Sequence, residues 1–239
     1  MFHKILILNS LLLIQLIMKN LFVAVFILFV AVVQAQTVTK YSPKDLESWQ
    51  SLGAGLGYVT HNQFMMEEVE GSIGFMIFSP EKYNDVVLRY EVMTMNPATV
   101  LVALLNASDM GNSIGLTISD DNKGSFGFWT KEAEDYMFGF RVVAHNSTPF
   151  LRKHPATEGE STTIGLAEKD MMHSGWRHTV ELGKKGKKLW LKIDDETVID
   201  VTDEKPLDAG KISIRVRGTA GILGKSMIRN LEIIGEPVK

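Results

Sequence analysis

Cysteine is absent from the whole chain of 239 residues. The protein therefore has no disulfide bonds, and its stability has to come from packing alone. The absence also excludes the lipid-carrying cysteine that tethers many proteins of the bacterial envelope. If the protein is exported, we expect it to have no lipid anchor.

Basic residues are in slight deficit, with 25 Lys and Arg against 28 Asp and Glu and a net charge of −3. Nucleic-acid binding depends on a concentrated basic surface, which this composition does not indicate. The sequence also lacks a phosphate-binding loop, a dinucleotide-binding glycine motif and a Gly-x-Ser-x-Gly nucleophile elbow. We predict no nucleic-acid partner, and the sequence does not indicate an oligomeric state.

A long apolar segment is present at the start of the chain. Residues 5–33 are mostly Leu, Ile, Val, Phe and Ala, and the only Lys, Arg, Asp or Glu residues before position 36 are Lys4 and Lys19. A run of this length is typical either of a membrane-spanning helix that is retained or of a signal peptide that is removed.

The residues around this apolar segment favour a signal peptide. Met18 begins a short basic region before a second apolar stretch, and residues 33–35 place small side chains where a signal peptidase cuts. We predict that residues 1–35 are a signal peptide, with Met18 as an alternative start, and that 36–239 form a single domain. That domain is expected to be periplasmic or secreted, with no stable membrane anchor after cleavage.

Most of the remaining sequence has the alternation of apolar and polar residues that is typical of β-strands. Turn residues at 120–124, 184–188 and 194–196 predict tight hairpins. The predicted strands are 86–93, 100–106, 113–119, 125–130, 136–144, 178–182, 188–193, 197–201, 211–216 and 227–234. Short strands joined by tight turns predict an all-β fold, a two-sheet antiparallel jelly-roll sandwich.

Two strands and one loop carry further detail. Residues 100–105 are apolar on both faces and should lie centrally in a sheet. In the strand 211–216, alternation predicts that one face belongs to the core and that the other is a basic surface. The roughly 30 residues between 144 and 176 show little periodicity, and loops of such length are usually functional or disordered.

Five stretches carry a resemblance to a known family. They are FSPEKYNDVVLRYEV (78–92), WRHTVE (176–181), KIDDETVID (192–200), GKISIR (210–215) and IRNLEI (228–233). Their order resembles that of concanavalin A-like jelly-roll proteins of the lectin and glucanase superfamily, near the 3-keto-disaccharide hydrolase domain of bacterial polysaccharide utilisation. The resemblance implies a carbohydrate ligand, acted on by a hydrolase or lyase or held by a non-catalytic binding module.

The long loop supplies the candidate catalytic residues, which are His145, Arg152 and His154. Histidine titrates near neutral pH and serves as acid or base, and a guanidinium stabilises a carboxylate or an oxyanion. Asn146 and Lys153 are the substrate-binding candidates of the same loop. The alternative is that these polar residues cap turns or are solvated.

Further binding candidates lie outside the loop. Arg141, Arg215 and Arg217 are predicted to form a basic face for an anion or a sugar. Tryptophan rings stack on the apolar face of a pyranose, although core packing is the alternative for each ring. The tryptophan candidates are Trp129, Trp176 and Trp190.

Two remaining patterns concern carboxylates and metals. Glu68 and Glu70 lie on alternate positions, like the acid and nucleophile of a retaining glycosidase, but without the flanking residues of that motif. No metal-ligand spacing is present, so no cofactor is predicted. The resemblance still allows a structural or catalytic divalent metal such as calcium.

Overall fold

The computed structural model describes residues 15, 18–20, 37–111, 115–117, 124–143 and 146–238, without the side chains of Phe128 and Trp129. The chain divides into two units, Met1–Thr37 and Val38–Lys239. In the first unit, Gln15 and residues 18–20 are helical, and the rest of the predicted signal peptide lies outside the described residues. None of the described helices is long and apolar enough to cross a membrane.

The described part of the second unit forms two antiparallel sheets and two short helices, α1 (Pro43–Leu46) and α2 (Phe126–Trp129). Sheet A consists of β1 (Val38–Tyr41), β3 (Gly55–Thr60), β4 (Gln63–Glu68), β6 (Val86–Thr94), β11 (Arg177–Lys185), β12 (Lys188–Ile193), β13 (Glu196–Thr202) and β15 (Lys225–Ile234). Sheet B consists of β2 (Gln50–Leu52), β5 (Phe75–Tyr83), β7 (Val100–Asp109), β8 (Ala133–Arg141), β9 (Phe150–His154), β10 (Thr163–Leu166), β14 (Gly210–Arg217) and β16 (Pro237–Val238). The predicted all-β jelly-roll sandwich is confirmed.

The strand order places long strands at the centre of each sheet. Sheet A has the order β13-β12-β11-β6-β15-β4-β3, with β1 beside β15. Sheet B has the order β10-β9-β8-β7-β14-β5-β16, with β2 beside β5. The strand β7 is buried on both faces between β8 and β14, as its apolar sequence predicts.

The main core lies between the two sheets and follows the alternation of the strands. In β6, the residues Leu88, Tyr90 and Val92 point into this core. In β14, Ile212, Ile214 and Val216 do so, which confirms the predicted core face of that strand. The two sheets are therefore held together by the apolar side chains at alternate positions of such strands, which are buried in this core.

Eight of the ten predicted strands coincide with observed strands. The prediction for 125–130 is wrong, because these residues contain α2, in which the Thr130 amide donates to the Phe126 carbonyl. Residues 115–117 form no strand, and the rest of 113–119 lies outside the described residues, as do 120–123 of the predicted turn. The hairpin at 194–196 is confirmed, with positive φ at Asp194 and Asp195.

The loop predicted between 144 and 176 contains β9 and β10. In β9, four of five residues are buried, so the sequence FLRKH has no apolar and polar alternation to reveal the strand. This strand pairs with β8, which places His154 opposite Asp135 and Arg152 opposite Met137. Two catalytic candidates of the predicted loop, Arg152 and His154, therefore lie in sheet B.

Candidate functional site

The outer face of sheet B, which points away from sheet A, collects four of the predicted site residues. Strand register and alternation place them there, and they are Arg152, His154, Arg215 and Arg217. The face is also apolar, and a second buried cluster on it includes Met76, Leu104 and Met137. The partly buried Phe126 and Leu116 pack against that cluster.

His154 and Asp135 form a buried pair at one end of this face. The Nδ1 atom of His154 lies 3.2 Å from Oδ1 of Asp135, and the two side chains are 3% and 0% exposed. Burial raises the pKa of the Asp135 carboxyl above its ordinary value, and the hydrogen bond with His154 opposes that shift. The other carboxyl oxygen of Asp135, Oδ2, is buried without a hydrogen-bond partner.

Arg152 lies beside this pair on the same strand as His154. Because it pairs with Met137, it is a diagonal neighbour of Asp135, about 7–8 Å away between Cα atoms. Its guanidinium carbon lies 4.6 Å from the centre of the Phe150 ring, and its Nε is buried without a hydrogen-bond partner. Arg152 is half-buried, so it is the most accessible of the three polar groups at this end.

Arg215 lies deeper on the same face and fixes the segment that contains α2. Its Nη2 donates to the carbonyls of Ile73, at 2.7 Å, and Gly124, at 3.0 Å. Its guanidinium carbon lies 4.1 Å from the Phe126 ring centre. Burial lowers the pKa of Arg215 to about 9, so the side chain is charged at neutral pH.

Glycine is required where Arg215 holds this segment. A Cβ atom on Gly124 would lie 2.0 Å from the carbonyl oxygen of Gly74, and one on Gly74 would lie 2.3 Å from Nη2 of Arg215. Both glycines also have positive φ, which other residues rarely adopt. The predicted basic surface of β14 is thus wrong for Ser213 and Arg215, which are 0% and 1% exposed.

The other cationic candidates do not join Arg152 and His154. Arg141 is buried and donates to the carbonyls of Thr99 and Pro97. Lys153 points to the opposite side of β9 from Arg152, and its Nζ lies 2.8 Å from Oδ2 of Asp203. The Tyr136 hydroxyl donates to the same carboxyl oxygen at 2.6 Å.

The remaining candidates are dispersed or lie outside the description. His145 is outside the described residues, and so is the Trp129 side chain. Asn146 is an exposed turn residue with positive φ, and Arg217 is exposed at the end of β14. Trp176 is 66% exposed and contacts His173 edge-on, with ring centres 5.2 Å apart.

The alternative carboxylate pair does not form one strand face. Strand β4 ends at Glu68, whose carboxylate accepts hydrogen bonds from the Gly224 amide at 2.8 Å and the Ser72 hydroxyl at 2.9 Å. The Gly218 amide donates to it as well, whereas Glu70 is an exposed turn residue. Within the described residues, no group of three or more His, Asp and Glu side chains is arranged to bind a metal ion.

Three buried polar atoms without a hydrogen-bond partner lie on the outer face of sheet B. They are Asp135 Oδ2, Arg152 Nε and Ser213 Oγ. Ser213 is linked to Arg152 by a row of cross-strand neighbours through Leu104 and Met137, so the row spans about 14 Å. Buried polar atoms are nearly always hydrogen-bonded, so a row of unpaired ones is a place where a polar ligand would be stabilised. The sequence alone did not indicate Asp135, because its partner lies on a strand that the sequence did not predict.

Solved proteins with the same fold include carbohydrate-related ones. A Bacillus subtilis protein of unknown function with a galectin-like fold is 14% identical, with a TM-score of 0.68 over 86% of this chain and 100% of that one. A carbohydrate-binding module from Bacillus subtilis is 13% identical, with a TM-score of 0.54 over 79% and 96% of the two chains. A β-1,3-1,4-glucanase (lichenase) from a mouse hindgut metagenome is 11% identical, with a TM-score of 0.54 over 84% and 100%. No protein-family model and no curated protein matches the sequence. The predicted concanavalin A-like fold is confirmed.

Proposed function

We propose that the protein is an exported carbohydrate-active protein whose reaction takes place on the outer face of sheet B. The row of unpaired buried atoms on that face is the observation that carries the proposal. A sugar, rich in hydroxyl groups, satisfies such atoms by hydrogen bonding. The carbohydrate-binding module and the glucanase that share the fold support a sugar as the ligand.

The proposed reaction is hydrolysis or elimination on an acidic or 3-keto sugar. In the elimination, Nε2 of His154 accepts the proton from the carbon next to the carbonyl, while Asp135 orients the ring through Nδ1. Arg152 stabilises the negative charge that develops on the carbonyl oxygen. A C=C bond then forms between the deprotonated carbon and its neighbour while the C–O bond at the neighbour breaks, and the leaving oxygen takes the electron pair and a proton from water.

Access to His154 is part of this proposal. Its side chain is only 3% exposed, so a substrate reaches the imidazole only after neighbouring side chains on the face have moved. Arg152, being half-buried, is the group that a substrate meets first. Loop and lid movements of this kind are common in enzymes that exclude water from the reaction.

A non-catalytic carbohydrate-binding module is the second candidate, and Trp176 favours it. The ring is 66% exposed, more than is usual for a large aromatic side chain, and it lies next to His173. An exposed indole is a suitable platform for a pyranose ring. Under this candidate, His154 and Arg152 have no role in chemistry.

The test is incubation of the purified protein with neutral, uronate-containing and 3-keto oligosaccharides, followed by mass spectrometry of products and calorimetry of binding. The first proposal expects product from the wild type and at least a hundredfold loss with Arg152→Gln. Arg229→Gln is the matched control, because Arg229 lies on sheet A and pairs with Glu91 at 2.7 Å. Binding without product supports the second candidate, and neither binding nor product overturns both.

Export is tested separately by sequencing the amino terminus of the secreted or periplasmic protein. Cleavage after Ala35 gives a chain that begins at Gln36. An uncleaved protein that remains with the membrane fraction would contradict the predicted signal peptide.

A further inference from the structure

A cavity of about 380 Å³ lies on the outer face of sheet A, the opposite side of the sandwich from the candidate site. Its volume falls within the usual range for small-ligand sites. Three lysines, one aspartate, a threonine and a tryptophan line it. They are Lys185, Lys188, Trp190, Lys192, Thr197 and Asp200.

Trp190 forms the flat part of this cavity. It pairs across the strands with Gly183, and a Cβ atom on that glycine would lie 2.0–2.5 Å from three atoms of the indole ring. The ring therefore rests directly on the backbone of β11. Its Nε1 donates to Oε1 of Glu181 at 2.9 Å, which fixes the orientation of the ring. An aromatic ring that covers a glycine stabilises a sheet, and here it also presents an apolar surface to the cavity.

The lysines give the cavity a positive charge. Lys188 pairs with Asp200 at 3.0 Å, and Lys192 pairs with Glu181 at 2.8 Å. No carboxylate among the described residues lies within ion-pair distance of Lys185. Burial alone would raise the pKa of Glu181, but the hydrogen bonds from Lys192 and Trp190 lower it below the ordinary value. The carboxylate is thus ionised at neutral pH and holds both the ring and one lysine in place.

Lys185 and Lys188 are direct cross-strand neighbours at the β11–β12 hairpin. Like charges in this relation destabilise a sheet. The two other lysines of the hairpin have partners, since Lys184 binds Asn84 at 2.7 Å and Lys187 binds Glu204 at 2.6 Å. Lys188 also has a partner, Asp200, so Lys185 is the lysine of the hairpin whose charge is left for an anion to balance.

We propose that this cavity binds an anionic sugar, a uronate residue whose apolar face stacks on Trp190 and whose carboxylate lies between Lys185 and Lys188. The proposal takes the ligand class from the proposed function but needs none of the chemistry on sheet B. It assigns a second site, which holds an acidic polysaccharide while another part of the same polysaccharide is processed on sheet B.

A single-stranded nucleic acid fits the surroundings less well than a sugar. Such ligands need successive aromatic rings along a continuous basic groove. The row next to Trp190 alternates in charge instead, from Lys192 to Glu181, then to Arg89 and Glu232 on the next two strands. One ring in a short basic cavity is suited to one or two sugar residues.

The experiment is calorimetry of the full-length protein with trisaccharides of galacturonate, guluronate and mannuronate. The methyl ester of trigalacturonate, a neutral molecule with the same ring geometry, and a pentathymidylate are the comparison probes. We expect at least one uronate to bind, and its ester to bind at least tenfold more weakly.

Two variants and one control locate the binding. Lys185→Gln with Lys188→Gln, and separately Trp190→Ala, are each expected to weaken uronate binding at least tenfold. Lys40→Gln, an exposed lysine of the same sheet that pairs with Glu232, is expected to stay within twofold of the wild type. The double lysine variant should also melt at the same temperature as the wild type or slightly higher, which excludes unfolding as the cause.

Several outcomes would overturn the proposal. They are no binding by any uronate, equal binding of acid and ester, wild-type affinity in the variants, or tighter binding of pentathymidylate than of the uronates. The test separates this site from the one on sheet B. If the wild type forms no product, the proposed reaction is refuted. If uronate binding is nevertheless lost in the double lysine variant, the binding site on sheet A is still supported.

Discussion

The outer faces of the two sheets differ in whether their charged side chains are exposed to solvent or buried. On sheet A, charged side chains form cross-strand pairs in contact with solvent, such as Lys40 with Glu232. On sheet B, the corresponding face is apolar, and its polar residues, such as Arg215 and Asp135, are almost completely buried. The same alternation of residue types therefore has different consequences, because the segment that contains α2 packs on this face of sheet B. Replacing a charged residue on sheet B should affect folding and chemistry together, whereas replacing an exposed charged residue on sheet A should affect binding more than folding.

The largest expected effect on stability is the difference between replacing an arginine on sheet B and replacing one on sheet A. Arg215→Met removes the donors to the carbonyls of Gly124 and Ile73 and should lower the free energy of unfolding by about 3 kcal/mol. Arg229→Met breaks a solvent-accessible pair with Glu91 and should cost less than about 1 kcal/mol. Urea denaturation measures both values. Equal losses would show that the two faces do not differ in this way.

Gly183→Ala is expected to have the next largest effect, on sheet A. A Cβ atom there overlaps the Trp190 ring, which should lift the ring and destabilise the protein by about 1–3 kcal/mol. Uronate binding should weaken together with stability. Gly127→Ala is the control, because a Cβ atom at Gly127 meets only the Ser125 hydroxyl, at 3.5 Å. If Gly183→Ala binds uronate like the wild type, the position of the ring is not what creates the site.

The pH dependence of stability should have opposite contributions from two aspartates. Burial would raise the pKa of Asp203, but hydrogen bonds from Lys153 and Tyr136 lower it below 3.8, so its stabilisation is lost as the pH falls below about 4. Burial raises the pKa of Asp135, so its contribution is present at low pH and is lost as the pH rises above 3.8.

Asp203→Asn should therefore flatten the acid side of the stability curve, and Asp135→Asn should remove the opposing slope above pH 4. Thermal unfolding measured from pH 3 to pH 8 checks both variants. Parallel curves for the wild type and Asp135→Asn would mean that burial does not control the Asp135 carboxyl.

The smallest expected effect on stability belongs to Trp176→Ala. Since the ring is 66% exposed, its removal should change the free energy of unfolding by less than about 0.5 kcal/mol. Its effect on glycan affinity distinguishes the two candidate functions. A loss of binding favours the binding module, and unchanged binding removes Trp176 from the predicted ligand contacts.

Sequence patterns predicted the fold much better than the site. Strands such as β6 and β14 bury one face against the core, so their alternation is visible in the sequence. The strand β9 is buried on both faces and β10 is short, so the sequence predicted a loop where sheet B continues. With β9 undetected, the partnership of His154 and Asp135 could not be predicted from the sequence.

The burial of the outer face of β14 could not be predicted from the sequence for a different reason. Its residues Lys211, Ser213, Arg215 and Arg217 have the composition of a solvated face, and nothing within the strand shows that α2 covers Arg215. Such coverage depends on contacts between residues about 90 positions apart, as between Arg215 and Gly124. Patterns of local sequence do not record contacts of this kind. The aromatic residues at 126 and 128 predicted a strand, but the chain forms the short helix α2 at these positions.

Hydrogen exchange of the protein with and without a saturating uronate trisaccharide tests the central claim, that the two faces meet carbohydrate at separate sites. The account predicts slower exchange in β11 and β12 around Trp190 on sheet A, and in β8 and β9 around Arg152 on sheet B. The Lys185→Gln and Lys188→Gln double variant should lose only the first of these changes. Exchange that is unchanged in both regions, or slowed only in strands away from both faces, would contradict it.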